Sequence, residues 1–316
     1  AVKDLDLCTW ASDSRALLID HLHRHGALLF RGFALSDPAD LARLTDALTS
    51  APLPYVERSS PRSEVGTAGG NIYTSTDYPP DQPIFLHNEQ SYNLSFPRYI
   101  FFHCLTAAQS GGETPLADTR DIYRRIPPDL RLQLCQRKYM YIRNYDARFG
   151  LTWQEAFQTH TRAEVETYCQ ANQITCTWIG EDHLRTRQIR EFAAYHPATG
   201  QPVWFNHAVF FNSATLPPEL LTSLAADLQP EELPSNTFYG DGEPIESEVI
   251  ATLQDAYRQG SVSEPWSAGD VIMVDNMLSS HGRNPFVGER RILAAMATAH
   301  SWHDLALVAP TELGRP

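Results

Sequence analysis

The sequence is poor in paired cysteines, long apolar runs and positive charge, and each shortage excludes a class of protein. The five cysteines form no C-x-x-C pair, and an odd number without a spacing pattern indicates reduced cytosolic thiols rather than a disulfide framework. No stretch approaches the roughly 18 consecutive apolar residues of a transmembrane helix. A net charge of −13 and a pI near 5.3 argue against a nucleic-acid-binding protein.

Targeting and domain signals are equally sparse. The first residues lack the apolar segment of a signal peptide, so we expect a cytoplasmic protein. The hydrophobic content of 42% and the aromatic content of 10% are ample for a buried core and exclude a disordered chain. No repeat, low-complexity tract or convincing linker divides the sequence. We therefore expect one domain over residues 1–316, with helical or loop insertions at about 52–83 and 145–195.

A histidine and a carboxylate stand two residues apart in the stretch LHNEQSY, residues 86–92. Residues i and i+2 of an extended strand point to the same face, so His87 and Glu89 can converge on one point. The best candidate for a third ligand is His281, in SSHGRNPF. Two histidines and one carboxylate leave three open positions on an octahedral ion, which suits non-haem Fe(II) and oxygen activation. In a chain with 12 histidines the tripeptide alone is weak evidence for a metal site, so the motifs in the rest of the sequence must support it.

Such motifs follow in a recognisable order over about residues 20–300. With them, the sequence resembles the iron- and 2-oxoglutarate-dependent dioxygenases of the taurine dioxygenase and clavaminate synthase type. The matching blocks are GALLFRG at 26–32, SPRS at 60–63, FPR at 96–98, GGETPLAD at 111–118, VWFN at 203–206, YGDG at 239–242, GDVIMVDN at 269–276 and GERRILAAM at 288–296. The resemblance implies a mainly β fold with helical insertions, the double-stranded β-helix (jelly roll, cupin-like).

The resemblance also implies the site. Fe(II) would be held by His87, Glu89 and His281, with 2-oxoglutarate and O2 as cosubstrates and no catalytic residue beyond the metal ligands. The far carboxylate of 2-oxoglutarate needs a buried cation with forked donors, which arginine supplies better than lysine, and a hydroxyl. Thr114 and Arg291 stand where the family has this pair.

Substrate contacts are expected from two less regular regions. Residues 52–83 are poor in periodicity and rich in Pro, Gly and Ser, and a loop that long is functional or disordered. Its position just before the metal strand favours a lid or a binding loop. The candidate substrate-binding residues are Arg62, Ser63, Asn71, Tyr73, Arg148, Phe149 and Asn206.

Other polar clusters have ordinary structural explanations. The three histidines of the helix predicted over 14–25 are expected on a solvated face, and His103, His196 and His207 are expected to be structural. A helical stretch at 118–138, interrupted at Pro127, carries a local basic run that is either a solvated face or a docking surface for an acidic partner. The basic residues are Arg120, Arg124, Arg125, Arg131, Arg137 and Lys138.

Differences from related branches of the family narrow the range of expected substrates and reactions. The branch that cleaves taurine has a second arginine four residues after the cosubstrate arginine, where this chain has Ala295, so a sulfonate substrate is not expected. The halogenating branch lacks the carboxylate ligand, which is present here as Glu89. The overall run is most similar to dioxygenases that tailor amino acids in nonribosomal peptide pathways. Their substrates are free amino acids or aminoacyl groups on a peptidyl carrier protein, and an acidic carrier would need a basic patch such as 120–138.

Four functions remain open on the sequence alone. The leading hypothesis is hydroxylation of an unactivated carbon of an amino acid or aminoacyl group. Desaturation or oxidative cyclisation at the same site depends on substrate positioning at the ångström scale. A hydrolase with Zn(II) in the same ligand set is a second class, but it would not need a cosubstrate pair. A non-catalytic sensor is a third class, and retention of all five site positions argues against it.

Overall fold

The computed structural model describes residues 5–33, 35–55, 57, 63–65, 71–76, 78–146 and 151–308. The strands are β1 (Ala27–Phe30), β2 (Ile72–Thr74), β3 (Ile84–His87), β4 (Ser95–Thr106), β5 (Ser110–Gly111), β6 (Leu116–Asp118), β7 (Tyr139–Tyr145), β8 (Thr175–Ile179), β9 (His183–Arg190), β10 (Ala193–Tyr195), β11 (Pro202–Trp204), β12 (Ser235–Tyr239), β13 (Ser261–Val262), β14 (Val271–Asp275), β15 (Ser279–Arg283), β16 (Phe286–Val287) and β17 (Arg291–Ser301). The α-helices are α1 (Leu7–Asp13), α2 (Arg15–His25), α3 (Pro38–Leu48), α4 (Thr119–Arg125), α5 (Pro128–Arg137), α6 (Trp153–Phe157), α7 (Arg162–Ala171), α8 (Pro218–Asp227) and α9 (Ser247–Gln259).

The largest sheet is antiparallel and buried on both faces. Its strand order is β1-β14-β4-β17-β2. One face, which includes Phe101 and Leu293, packs against the three N-terminal helices. The other face, which includes Phe102 and Ile292, forms a separate apolar cluster. Because both sets of alternate residues are apolar, the alternation along β17 does not reveal which face is which.

A four-stranded antiparallel sheet, ordered β13-β6-β15-β3, carries the candidate metal ligands. Strands β15 and β3 pair so that His281 lies opposite His87. On its other side β15 pairs with β6, which begins two residues after Thr114. This sheet therefore brings three widely separated parts of the chain to one place.

The second predicted insertion differs from expectation. A helical or loop insertion was expected at about 145–195, and this region contains α6 and α7 but also the antiparallel strands β8 and β9. The buried positions of β9 are Leu184, Thr186, Gln188 and Arg190. Because three of those four are polar, the strand lacks the apolar alternation that identifies a strand in a sequence.

The helical predictions near the start and middle of the chain are confirmed. Helix α2 ends at Gly26, which adopts a left-handed conformation with φ 79°, as helix-terminating glycines do. The stretch at 118–138 is split into α4 and α5, and Pro127 is the N-cap residue of the second helix. Among the described residues, no helix is long and apolar enough to cross a membrane.

Candidate metal centre

Three potential ligands meet at the end of β3. The ring centroids of His87 and His281 lie 4.5 Å apart, as their pairing across adjacent strands requires. One ligand atom from each of His87, Glu89 and His281 lies within 4.8 Å of the others. Glu89 and His281 are only 3% and 4% exposed. The structure thus brings together the three residues that the sequence singled out.

Glu89 reaches this position by a different route from the one expected. Strand β3 ends at His87, and Glu89 lies in the turn that follows, so strand alternation does not place its carboxylate. Instead, the side-chain amide of Asn276 bonds the main chain of Glu89. Asn276 Oδ1 accepts from Glu89 N–H at 2.8 Å, and Asn276 Nδ2 donates to Glu89 O at 2.9 Å.

The donor set fits a divalent transition metal. His87 Nδ1 lies 2.9 Å from the carbonyl oxygen of Phe85. Donation of an N–H to that carbonyl fixes the ring tautomer and leaves Nε2 as the lone-pair donor for a metal. Two imidazoles and one carboxylate on one side of an ion are the ligands of non-haem Fe(II) oxygenases. Aromatic rings enclose the centre, with Phe210 at 4.6 Å from His87 and Phe102 at 5.0 Å from His281 between ring centroids.

A cleft beside the ligands contains a hydroxyl and two arginines, Arg283 and Arg290. Arg283 donates to the main-chain carbonyls of Tyr78, Pro79 and Gln82. The wall of the cleft includes His87, His281, Thr114 and Arg290, together with the apolar side chains of Phe102 and Ile292. Thr114 is 5% exposed, and its hydroxyl accepts from the indole N–H of Trp266 at 3.3 Å. This combination can bind the far carboxylate of a dicarboxylic acid whose other end reaches the metal.

Arg290 is an energetically costly cation in this cleft. Burial, with the nearby charge of Arg283, lowers the pKa of Arg290 to about 10. Its Nε donates to the carbonyl of Gly112 at 2.8 Å. Among the residues that the structure describes, no carboxylate forms an ion pair with it. A bound carboxylate would supply the missing counter-charge and make the cation less costly.

The structure places Arg290 in the cleft wall, rather than the Arg291 expected from the sequence. Arg291 is exposed and begins β17 opposite Thr106. The pairing of β17 with β4 shifts register between Arg291 and Ile292, and Leu293 beyond this shift packs against the N-terminal helices. Arg290 precedes the strand and points with Ile292 into the cleft.

The expected substrate contacts divide into two groups. Arg62, Arg148 and Phe149 lie outside the described residues. Ser63 is exposed, and the other three candidates use their polar atoms internally. Asn71 Nδ2 donates to Pro52 O at 3.0 Å, Tyr73 OH donates to Asn71 Oδ1 at 3.3 Å, and Asn206 Nδ2 donates to Phe192 O at 2.9 Å. None of these four lines the cleft, and Asn71, Tyr73 and Asn206 stabilise their own segments.

Sequence reasoning missed a second cavity next to the Glu89 turn. It has a volume of about 270 Å3 and is mostly apolar, and Gln90, the residue after Glu89, is part of its wall. Phe96, Tyr168 and Met296 contribute further wall area, and Asn93 contributes a buried amide. The position of Gln90 directly after the carboxylate was the only sequence signal for it.

The remaining histidines lie in structural settings. His103 is fully buried, and burial lowers its pKa. His207 is buried within 2.7 Å of the Ser91 hydroxyl, and burial followed by the nearby His87 lowers its pKa well below the ordinary value. It is therefore neutral at physiological pH, 5.5 Å from His87 between ring centroids.

The basic run of α4 and α5 is paired with neighbouring acids. Arg124 and Arg125 both bond Asp121, at 3.3 and 2.6 Å. Arg120 is buried and bonds Asp118 at 2.7 Å. Arg137 and Lys138 pair with Asp241 and Glu191. The run therefore carries much less uncompensated charge than its sequence indicates.

Comparison with known proteins gives consistent matches over most of the chain. Residues 1–296 match the family described as "Taurine catabolism dioxygenase TauD, TfdA family". The dapdiamide synthesis protein DdaC of Enterobacter agglomerans is 40% identical over 275 residues, which are 87% of this chain and 83% of that protein. A clavaminate synthase-like protein of Arabidopsis thaliana is 28% identical over 285 residues, covering 87% of this chain and 82% of the relative.

Solved structures share the fold at low sequence identity. An asparagine oxygenase in complex with Fe(II), 2S,3S-3-hydroxyasparagine and succinate has a TM-score of 0.55 and 13% identity. The alignment covers 92% of this chain and 79% of the oxygenase. At this identity the likeness concerns the fold alone.

Proposed function

Because the chain belongs to the taurine catabolism dioxygenase TauD, TfdA family, we propose that it hydroxylates an unactivated carbon of an amino acid or aminoacyl group. The chain is an Fe(II)- and 2-oxoglutarate-dependent dioxygenase. The single observation that carries the site assignment is that His87, Glu89 and His281 converge beside a cleft that holds Arg290 and Thr114. Family membership alone would leave these residues unassigned.

Each residue has a definite task in this proposal. His87, Glu89 and His281 hold Fe(II), and Arg290 and Thr114 hold the far carboxylate of 2-oxoglutarate. When bound, the iron and 2-oxoglutarate supply oxygen activation, with CO2 and succinate as coproducts. Phe102 and Ile292 line the cleft with apolar surface and so exclude water, which strengthens the ion pair between Arg290 and the carboxylate.

Two observations support an amino-acid substrate. The relative with 40% identity is named for dapdiamide synthesis, and a protein of the same fold was crystallised with hydroxyasparagine and succinate. The assignment of Arg290 moves the position of a second, sulfonate-binding arginine to Ala294, which is small, apolar and buried. Neither Ala294 nor Ala295 can pair with a sulfonate, so neither position supports a sulfonate substrate. We propose that the 270 Å3 cavity beyond Gln90 receives part of the substrate.

A peptidyl carrier protein remains the alternative carrier of the substrate. The paired charges of α4 and α5 reduce the attraction that this surface offers to an acidic carrier, which supports a free amino acid. The proposal further includes a role in nonribosomal peptide biosynthesis, a cytoplasmic location and a single jelly-roll domain. The five free cysteines support the location.

Other functions of the metal centre have less support. A zinc hydrolase has three protein ligands and an open position, but it has no need for a costly arginine in the adjacent cleft. Desaturation and oxidative cyclisation share the whole apparatus and differ only in substrate positioning. A non-catalytic sensor would not need the buried carboxylate ligand.

The test is succinate release from 2-oxoglutarate with anaerobically added Fe(II), across free amino acids and their carrier-loaded forms. We expect substrate-stimulated succinate and a product heavier by one oxygen atom. A product lighter by two hydrogens would redirect the proposal to desaturation or cyclisation. Iron-loaded protein that releases no succinate with any substrate, or without one, would contradict the oxygenase.

A further inference from the structure

We propose that Asn276 is the positioning residue that holds Glu89 at the metal centre. The inference rests on the proposed function, since it takes Glu89 as a metal ligand. A ligand at the end of a regular strand needs no separate support, whereas Glu89 lies in a turn beyond the end of β3. Its main chain must therefore be fixed by contacts from elsewhere in the molecule.

Asn276 supplies these contacts with every polar atom of its side chain. Oδ1 accepts from Glu89 N–H at 2.8 Å, and Nδ2 donates to Glu89 O at 2.9 Å and to Pro97 O at 2.8 Å. An amide offers one acceptor and two donors in one plane. The side chain thus bonds Glu89 as a neighbouring β-strand would, and it ties the turn to the start of β4 at the same time.

The backbone of Asn276 is fixed as well. Its N–H donates to the carbonyl of Arg98 at 2.9 Å, and its carbonyl accepts from Asn88 Nδ2 at 2.6 Å. Asn276 is 0% exposed, so water does not compete for these bonds. Asn276 is therefore hydrogen-bonded to Asn88, the residue before the carboxylate ligand, and to Glu89 itself.

Asp275, the residue before Asn276, links this position to the strand that carries His281. Asp275 Oδ1 accepts from the main-chain N–H groups of Met277 and Leu278 at 3.0 and 3.2 Å. This turn leads directly into β15, which carries His281. Asp275 and Asn276 together therefore fix the relative placement of Glu89 and His281. Both are distant from Glu89 in the sequence, so the sequence does not reveal this role.

The test uses Co(II), whose affinity for such sites exceeds those of Mn(II) and Fe(II) and whose visible absorption reports its ligands. Affinity is measured in wild type, Asn276→Asp, Glu89→Ala and the double variant. Asn276→Asp keeps the shape of the side chain and its acceptor oxygen. It replaces the Nδ2 donor by a carboxylate oxygen that faces the carbonyl oxygens of Glu89 and Pro97. The matched control is Asn144→Asp, a buried asparagine that donates to the carbonyls of Glu231 and Leu233 in the β7 sheet.

We expect Asn276→Asp to weaken Co(II) binding about 10- to 100-fold, the usual effect of losing support for a metal ligand. The Michaelis constant for 2-oxoglutarate should change little, because Arg290 and Thr114 are intact. In the Glu89→Ala background the same change should weaken Co(II) binding no further. The control Asn144→Asp should leave the Co(II) affinity and absorption at their wild-type values.

Two results would overturn the inference while leaving the proposed function intact. One is a Co(II) affinity of Asn276→Asp within twofold of wild type, and the other is equal weakening with and without Glu89. If wild type binds no Co(II), the metal centre and the inference fail together. Should Asn276→Asp not fold, Asn276→Gln displaces the same amide by one methylene and is subject to the same criteria.

Discussion

Arg290 and Arg291 are adjacent in the chain but lie in different surroundings. Arg290 lines the cleft that contains His87 and His281, whereas Arg291 is exposed at the first position of β17. Of these two adjacent arginines, Arg290 lines the cleft and Arg291 does not. This relationship makes the binding of the cosubstrate testable with a control that differs by a single position.

Arg290→Ala should raise the Michaelis constant for 2-oxoglutarate, and Arg291→Ala should leave it unchanged. A hydrogen-bonded ionic contact contributes about 1.5–3 kcal/mol, which corresponds to an increase of about 10- to 100-fold. Succinate release at varied 2-oxoglutarate concentrations measures both variants. The opposite ranking would return the assignment to Arg291.

Glu89→Ala should abolish metal-dependent turnover, because it removes the carboxylate ligand from a three-ligand site. Fe(II) binding and product formation are measured together, so that loss of activity is tied to loss of metal. Glu219→Ala, on the exposed side of α8, is the control and should behave as wild type. Full activity in Glu89→Ala would end the assignment of the three ligands.

His103 should make the protein less stable in acid. It is 0% exposed, and burial lowers its pKa below the ordinary 6.5. Below pH 6.5 the unfolded chain therefore binds a proton that the folded chain refuses, so the free energy of unfolding falls as the pH falls. One such histidine contributes up to about 1.4 kcal/mol per pH unit.

Urea unfolding at pH 5.5 and pH 7.5 isolates this effect. His103→Leu should lose less stability between the two pH values than wild type does. The other histidines are the same in both proteins, so the difference belongs to His103. Equal losses in the two proteins would show that His103 takes up its proton in the folded state.

Reversing the charges of Arg124 and Arg125 to glutamate should affect free and carrier-loaded substrates alike. Both guanidinium groups already bond Asp121, and exposed pairs of this kind contribute little net attraction to a partner. The measurement is the ratio of turnover on the two substrate forms. Arg258→Glu, which breaks a comparable exposed pair with Asp255, is the control. A selective loss with carrier-loaded substrate would establish the docking surface.

The sequence singled out the three candidate ligands because their chemistry is local. His87 and Glu89 stand two residues apart, and only a few residue types can bind iron. The sequence does not say whether Arg290 or Arg291 lines the cleft, because both faces of β17 are apolar. Ile292 and Leu293 are equally buried, at 2% and 0% exposure, so no pattern in the chain says which face forms the cleft.

The support of the site could not be predicted from the sequence. Asn276 and Glu89 are 187 residues apart, and an asparagine directly after a strand has no recognisable pattern of its own. Strand β9 was missed for a related reason, since its buried positions include Thr186, Gln188 and Arg190. Tertiary hydrogen bonds, rather than apolar periodicity, decide the structure at both places.

The most direct test of the account is a crystal structure of the protein grown anaerobically with Mn(II) and 2-oxoglutarate. We predict an anomalous peak bound by His87, Glu89 and His281. We also predict that the far carboxylate of 2-oxoglutarate is bound by Arg290 and Thr114. A metal bound elsewhere, or a cosubstrate that contacts neither Arg290 nor Thr114, would contradict the account.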